Sequence, residues 1–187
     1  GDIDRLHKVF PALCAYAKWW KLNRTWPNGT YWSSGWGTGM DNTPRVPEGY
    51  NQIFSNGHME WLDANLQQML VNESLLQIGF YIERWQEIEE VEDENRFLKK
   101  HINDFMWNDA EGFLFDRYAD GSLGTAKGIY AYWALQTDVL GKERLDRFVA
   151  HLSDSTEFDR PHRVPSLSAD HRKYNALGRY WQGGVWP

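Results

Sequence analysis

The segment Trp32–Arg45 reads WSSGWGTGMDNTPR, and it indicates the fold and the kind of site more directly than any other part of the sequence. It places one carboxylate, Asp41, in a glycine-rich loop that also carries the indole of Trp36. An acid in such a loop can protonate a glycosidic oxygen, a flat ring can stack on a pyranose, and polar groups can bind its hydroxyls. These residue types predict a site that cleaves sugars.

A second loop of the same character lies at Tyr180–Pro187, which reads YWQGGVWP. The chain has eleven tryptophans among 187 residues, and we expect most of them in a helical core. Four stand in glycine-rich loops where no core-facing periodicity explains them: Trp32, Trp36, Trp181 and Trp186. Sugar sites combine aromatic platforms with polar groups, so these four are candidates for sugar contact.

Both segments resemble motifs of glycoside hydrolase family 63, which includes processing α-glucosidases and mannosylglycerate hydrolases, and more distantly the family 37 trehalases. In those enzymes the first motif reads roughly WESGMDNSPR and the second YWRGxxW. The similarity continues through residues 62–66, 106–116 and 164–168 of this sequence. The resemblance implies an all-α fold, the (α/α)6 barrel of twelve helices with the active site at one end.

Apolar residues at helical spacing predict five helices, at about residues 3–22, 62–85, 88–105, 127–139 and 142–153. The first motif lies in a loop of about residues 23–56, a length typical of functional loops. A short hairpin is expected over residues 112–122 and a short strand near 164–167. Because five helices are not twelve, we interpret residues 1–187 as one incomplete domain. It would be part of an (α/α)6 barrel (toroid) whose long loops carry short strands, with a continuation beyond Pro187.

Asp41 is the predicted general acid, because the resemblance aligns it with the acid of both enzyme families. The alternative is an aspartate that only caps a turn ahead of Asn42, which is common in glycine-rich loops. The substrate-binding candidates are Trp36, Gly39, Asn42, Arg45, Asp63, Trp181 and Gln182.

Several of these candidates have a second interpretation. The planar fork of Arg45 can bind a substrate or fix its loop through a salt bridge. Asn42 can bind substrate or brace the loop. Asp63 matches an aspartate near the sugar site of the related enzymes, although a lone aspartate on a helix is usually solvated. Trp181 and Gln182 resemble a stacking ring and an amide at the rim of a sugar site.

Two residues depart from the family pattern. Gly37 stands where the family has a glutamate, and Gln182 stands where it has an arginine. Both changes remove a charge at the expected sugar rim, so the substrate preference of a single relative does not transfer. In the related enzymes the general base is a glutamate well downstream of the second motif, and no glutamate follows Glu157 here. We therefore expect the base outside this sequence.

Composition argues against other classes of function. A net charge of −6 without a basic run argues against nucleic acid and anionic membrane as partners. No apolar stretch approaches the roughly 20 residues of a membrane span. The six histidines lack paired spacing, so neither a metal nor another cofactor is predicted.

The expected partner is an oligosaccharide or small glycoside, and an incomplete barrel would also self-associate or contact its missing segments. The compartment is open, with a periplasmic or secreted location slightly favoured. Two other interpretations remain, a carbohydrate-binding module without turnover and a helical scaffold whose tryptophans form an interface.

Overall fold

The computed structural model describes residues 2–186, which contain five α-helices and one small hairpin. The helices are α1 (Ile3–Asn23), α2 (Gly35–Thr38), α3 (Leu62–Tyr81), α4 (Trp85–His101) and α5 (Lys142–Ala150). A π-helical turn at Ile102–Met106 extends α4, and 3₁₀ helices span Ile129–Gln136 and His151–Ser153. The antiparallel hairpin consists of β1 (Trp107–Asn108) and β2 (Phe113–Leu114). The first helix and the last therefore begin where the apolar spacing predicted.

Helix α3 is the centre of the molecule, and it contacts α1, α4 and the longer 3₁₀ helix. Its apolar residues join the π-helical turn, the hairpin and α5 in the main core. Fully buried members of this core include Leu62, Leu66, Met69, Leu98, Ile102, Phe113, Phe148 and Phe158. Because α3 is surrounded, four of its polar or charged side chains are also buried, namely Asp63, Asn65, Gln68 and Asn72. The loop that precedes α3 is attached to this helix, since the side-chain oxygen of Asn65 accepts from the N–H of Tyr31 at 2.9 Å.

The prediction that the second helix continues to Trp85 is wrong, because the backbone reverses after Tyr81. Glu83 has a φ of 60°, in the left-handed region, and the N–H of Arg84 donates to the carbonyl of Gly79 at 2.8 Å. This closure satisfies a carbonyl at the helix end and lets α4 begin at Trp85.

The predicted helix over residues 127–139 is also wrong, because only residues 129–136 are helical and they form a 3₁₀ helix. The backbone before it pairs with a distant segment: the N–H of Ser168 donates to the carbonyl of Lys127, and that of Ile129 donates to Ser166. The strand expected near residues 164–167 amounts to one antiparallel bridge between Gly128 and Leu167. Pairing with this segment displaces the first turn of the predicted helix.

The expected turn within residues 112–122 is present. Arg117 forms an isolated antiparallel β-bridge with Leu123, and the N–H of Tyr118 donates to the carbonyl of Ser122 at 2.8 Å. The strand β2 does not pair across this turn. It pairs with β1 upstream, in a register that places Trp107 opposite Leu114.

One face of α1 is apolar and exposed in the described residues. Leu13, Tyr16 and Trp19 are exposed by 40%, 56% and 48%. Among residues 2–186, none of the helices combines the length and the apolar character that a membrane crossing needs.

Candidate active site

The one-turn helix α2 shapes the loop in which Asp41 lies. The hydroxyl of Ser34 accepts a hydrogen bond from the N–H of Gly37 at 3.1 Å and caps the beginning of the turn. Gly39 ends the turn with a φ of 72°, and its N–H donates to the carbonyl of Trp36 at 3.3 Å. Gly39 therefore has a structural reason to be glycine, because it adopts the left-handed conformation of a helix C-cap.

The backbone of Asp41 packs directly against the beginning of α2. A Cβ atom on Gly35 would lie 2.6 Å from the carbonyl oxygen of Asp41 and 2.4 Å from that of Gln52. Three backbone segments meet at this glycine, and a larger residue would separate them. The N–H of Thr43 donates to the carbonyl of Met40 at 3.1 Å, which closes a turn with Asp41 at its second position.

The Asp41 side chain is half-buried and free. Within residues 2–186, no hydrogen-bond donor and no cation contacts its carboxylate. Aspartates in turns commonly accept a hydrogen bond from a nearby backbone N–H, as Asp120 and Asp154 do in this protein. A carboxylate held in a fixed turn but without a partner is available to a ligand.

Four residues beyond Asp41, Arg45 forms a buried ionic cluster with two aspartates. Its Nη1 and Nη2 donate to the two oxygens of Asp63 at 2.9 and 2.8 Å. Its Nε and Nη2 donate to the two oxygens of Asp116 at 2.8 and 2.5 Å. All three side chains are at most 2% exposed. The two bidentate pairs use four of the five N–H donors of the guanidinium, so this cluster anchors the loop to α3 and to the segment after β2.

Aromatic rings complete the enclosure of the cluster. The Arg45 guanidinium carbon lies 3.6 Å from the centre of the Tyr130 ring and 4.4 Å from that of Trp61. Burial alone would lower the pKa of Arg45, but the charges of Asp116 and Asp63 outweigh it and raise this pKa well above its usual value. Burial and the charge of Asp116 raise the pKa of the Tyr130 hydroxyl. The arginine therefore remains charged and the tyrosine neutral.

For Arg45 and Asp63 the geometry favours a structural role over the predicted substrate contact. Neither side chain reaches the surface, and each uses the other as its hydrogen-bond partner. The alternative interpretation, a salt bridge that fixes the loop, agrees with the structure. Sequence reasoning missed Asp116, although it ends the stretch Gly112–Asp116 on which the family resemblance partly rested.

Asn42 connects the two motif segments. Its Nδ2 donates to the carbonyl of Arg179 at 2.9 Å, and its Oδ1 accepts from the N–H of Trp181 at 2.9 Å. The side chain of Gln182 donates to the backbone carbonyl of Asn42 at 3.3 Å. Asn42 thus holds the first motif loop against the second, and the Gln182 amide donates to the backbone of the same residue. Because of these bonds, Asp41 lies beside the tryptophan-rich loop.

The aromatic residues of the second loop pack on one another. The rings of Trp181 and Trp186 are stacked at a centroid distance of 4.6 Å and an angle of 14°. Tyr180 contacts the Trp186 ring edge to face at 5.0 Å. One face of Trp181 is therefore covered, and its buried indole N–H has no hydrogen-bond partner within residues 2–186. Trp36, in contrast, is 66% exposed on the opposite motif loop.

The other buried carboxylates of the described chain already have cationic partners. Glu60 accepts from Arg117 at 2.9 Å and contacts His101 Nε2 at 2.7 Å. Glu157 pairs with Lys127 and His151. Residues 2–186 also contain no group of three or more histidine, cysteine or acidic side chains that could hold a metal ion.

The model of the mannosylglycerate hydrolase MGH1-like glycoside hydrolase domain matches residues 1–187. This chain belongs to that family. A protein of Borreliella burgdorferi with no assigned function is 24% identical over 190 residues, which cover 100% of this chain and 37% of that protein.

Solved structures share the fold at low sequence identity. A sialidase has a TM-score of 0.85 at 17% identity and covers 100% of this chain, which spans 17% of the sialidase. The family 63 mannosylglycerate hydrolase of Thermus thermophilus, in complex with glucose, has a TM-score of 0.81 at 20% identity, over 98% of this chain and 53% of that enzyme. The neutral trehalase of Saccharomyces cerevisiae has a TM-score of 0.56 at 16% identity, over 77% of this chain and 27% of that chain.

These comparisons confirm the resemblance to family 63 and the more distant one to trehalases. They also confirm the fold class, since the chain has the structure of a portion of an (α/α)6 barrel. The chain spans little more than half of the Thermus thermophilus enzyme and about a third of the Borreliella burgdorferi protein.

Proposed function

We propose that this domain is the acid-bearing part of an inverting glycoside hydrolase that cleaves an α-glucoside or a related α-glycoside. The observation that carries the proposal is the free carboxylate of Asp41, in a turn held by Gly35, Asn42 and Arg45. Membership in a glycoside hydrolase family supports the reaction class.

In the proposed reaction, Asp41 donates its proton to the leaving-group oxygen while the bond from that oxygen to the anomeric carbon breaks. A water molecule attacks the same carbon from the opposite face and gives a proton to a second carboxylate. We assign this second carboxylate to a glutamate outside residues 1–187, since the buried carboxylates here are paired with cations. An inverting pair lies about 6.5–9.5 Å apart, which leaves room for the water.

The roles of the neighbouring residues follow from their contacts. We propose that Trp36 contacts the sugar directly, because it is exposed, and that Trp181 contacts it through the face that Trp186 leaves uncovered. Asn42 and Gln182 hold the two loops together. Arg45 fixes the end of the Asp41 turn from inside the domain.

The substitution Asp41→Asn in the natural full-length protein tests the proposal. An amide preserves size but cannot deliver a proton, so turnover of substrates with poor leaving groups should fall about 10²–10⁴-fold. Activated aryl glycosides should lose much less, because their leaving oxygen needs little protonation. Asp138→Asn, at an exposed ion pair with Lys99, is the matched control.

Two results would contradict parts of this proposal. Equal losses on good and poor leaving groups would remove Asp41 from the acid role. A retained configuration of the first product, followed by NMR, would remove the inverting mechanism. Sugar binding by the wild type without turnover of any glycoside would favour a carbohydrate-binding module.

A further inference from the structure

Two exposed aromatic rings lie near each other, one in the loop that carries Asp41 and one in the segment after it. Trp36 and Phe54 are 66% and 70% exposed, and their ring centroids are 6.0 Å apart at an interplanar angle of 33°. Core packing does not explain their size, because most of each ring faces solvent in the described structure.

The backbone beneath both rings is held by specific hydrogen bonds. The N–H of Trp36 donates to the carbonyl of Ile53 at 2.8 Å. The side-chain oxygen of Asn51 accepts from the N–H groups of Ile53 and Phe54 at 2.9 and 3.0 Å. The two rings are therefore placed before a ligand binds, which reduces the entropy that binding would lose.

The same backbone junction connects the rings to the acid. Gly35, which precedes Trp36, packs against the carbonyl oxygens of Asp41 and Gln52 so closely that a Cβ would lie 2.6 and 2.4 Å away. Trp36 comes one residue after Gly35, and Phe54 comes two residues after Gln52. Both rings therefore lie close in sequence to the point where these two segments pack against the Asp41 turn. A general acid must reach the leaving-group oxygen, so a surface beside it is suited to the leaving group.

The angle between the rings distinguishes this pair from another exposed pair. Phe80 and Trp85 are 65% and 51% exposed, but their rings are perpendicular, at 90° and 4.8 Å. In a perpendicular pair the edge of one ring packs on the face of the other, so the two ring faces cannot contact the same flat ligand. Rings inclined by only 33° can contact one flat ligand together.

We propose that Phe54 and Trp36 form a platform that binds the leaving-group sugar, and that the substrate therefore carries a pyranose ring as its leaving group. This inference rests on the proposed glycosidase function. A pyranose presents a face of C–H groups to such rings, whereas an acyclic leaving group such as glycerate has no comparable face.

The experiment uses the natural full-length protein and three substrates with one glycon: an α-linked disaccharide, the corresponding α-glycosylglycerate and the α-glycosyl fluoride. Phe54→Ala should lower kcat/KM for the disaccharide about fivefold, mainly through KM, and change the other two less than about twofold. Phe54→Tyr should restore the disaccharide value. Phe80→Ala, which removes an equally exposed ring elsewhere, should change none of them.

An equal loss on all three substrates, or no loss on the disaccharide, would overturn the platform. If the wild type cleaves no glycoside at all, the proposed function fails, and saturation-transfer NMR with the disaccharide still tests the platform. Loss of the signals of one sugar ring in Phe54→Ala would then support it. Unchanged signals, or no binding to the wild type, would overturn it.

Discussion

The Arg45 guanidinium and the Asp63 carboxylate form a bidentate ion pair inside the protein, with N–O distances of 2.9 and 2.8 Å. One partner belongs to the loop of the first motif and the other to the first turn of α3. The N–H of Leu62 donates to Asp116 at 2.9 Å, so the same cluster also holds the beginning of α3. The cluster fixes the position from which the Asp41 turn projects.

Arg45→Met should lower the free energy of unfolding by about 3–5 kcal/mol, because it leaves two buried carboxylates without their cation. Arg45→Lys should recover only part of this loss, since an ammonium cannot form two bidentate pairs. Denaturant unfolding measures both. Arg96→Met removes an arginine whose side chain is 65% exposed and should change stability by less than about 1 kcal/mol. Equal effects at both positions would show that the cluster does not anchor the loop.

Gly35→Ala should impair folding and activity together, because its Cβ would lie 2.4 Å from the carbonyl oxygen of Gln52, a backbone atom that cannot rotate away. Gly141→Ala is the matched control, since no atom lies within 4 Å of its Cβ position and its φ is −68°. We expect the control to keep its activity and to lose no more than about 1 kcal/mol of stability, because Gly141 is the N-cap of α5 and alanine caps a helix less well than glycine. Thermal melting and kcat/KM check both variants, and a fully active Gly35→Ala would contradict the close packing.

Asn42→Asp should lower turnover more than it lowers stability. An aspartate keeps an acceptor for the N–H of Trp181 but places a carboxylate oxygen against the carbonyl of Arg179, where the amide now donates. The two loops should then separate locally, which hydrogen exchange of residues 179–182 would detect. Asn23→Ala, at the exposed end of α1, is the control and should leave exchange in that segment unchanged. Unaltered exchange in Asn42→Asp would mean that other contacts hold the loops together.

Glu60 should make stability depend on acidic pH. Burial alone raises the pKa of Glu60, but hydrogen bonds and charges from His101, Asn28 and Arg117 outweigh it and hold this pKa below 4.5. Its contribution to stability is therefore complete above about pH 4.5, the unfolded value, and is lost as the pH falls through the lower folded value. Glu60→Gln should show a smaller loss of unfolding free energy between pH 5 and pH 2.

Glu92→Gln is the control for this pH dependence. Glu92 is 59% exposed in a surface pair with Arg96, so its removal should leave the pH profile nearly unchanged. A Glu60→Gln profile that parallels the wild type would assign the acid sensitivity to other carboxylates.

Local spacing in the sequence was sufficient for α1 and α5 and for the presence of helices at α3 and α4. Their apolar positions repeat at helical intervals, and such periodicity reflects contacts between neighbouring turns of the same segment. The motif around Asp41 was equally visible, because its residue types lie within fourteen consecutive positions.

Only the tertiary structure decided which polar side chains form hydrogen bonds with residues far away in the sequence. Arg45 and Asp116 are 71 residues apart, and Asn42 and Trp181 are 139 apart, so no local pattern predicts that they meet. The same reason explains the lost helix at residues 127–128, whose backbone pairs with residues 166–168. A residue type states which bonds a side chain can make. The folded chain determines whether another part of the protein has already taken them, and at this site it leaves Asp41 free and encloses Arg45 and Asp63.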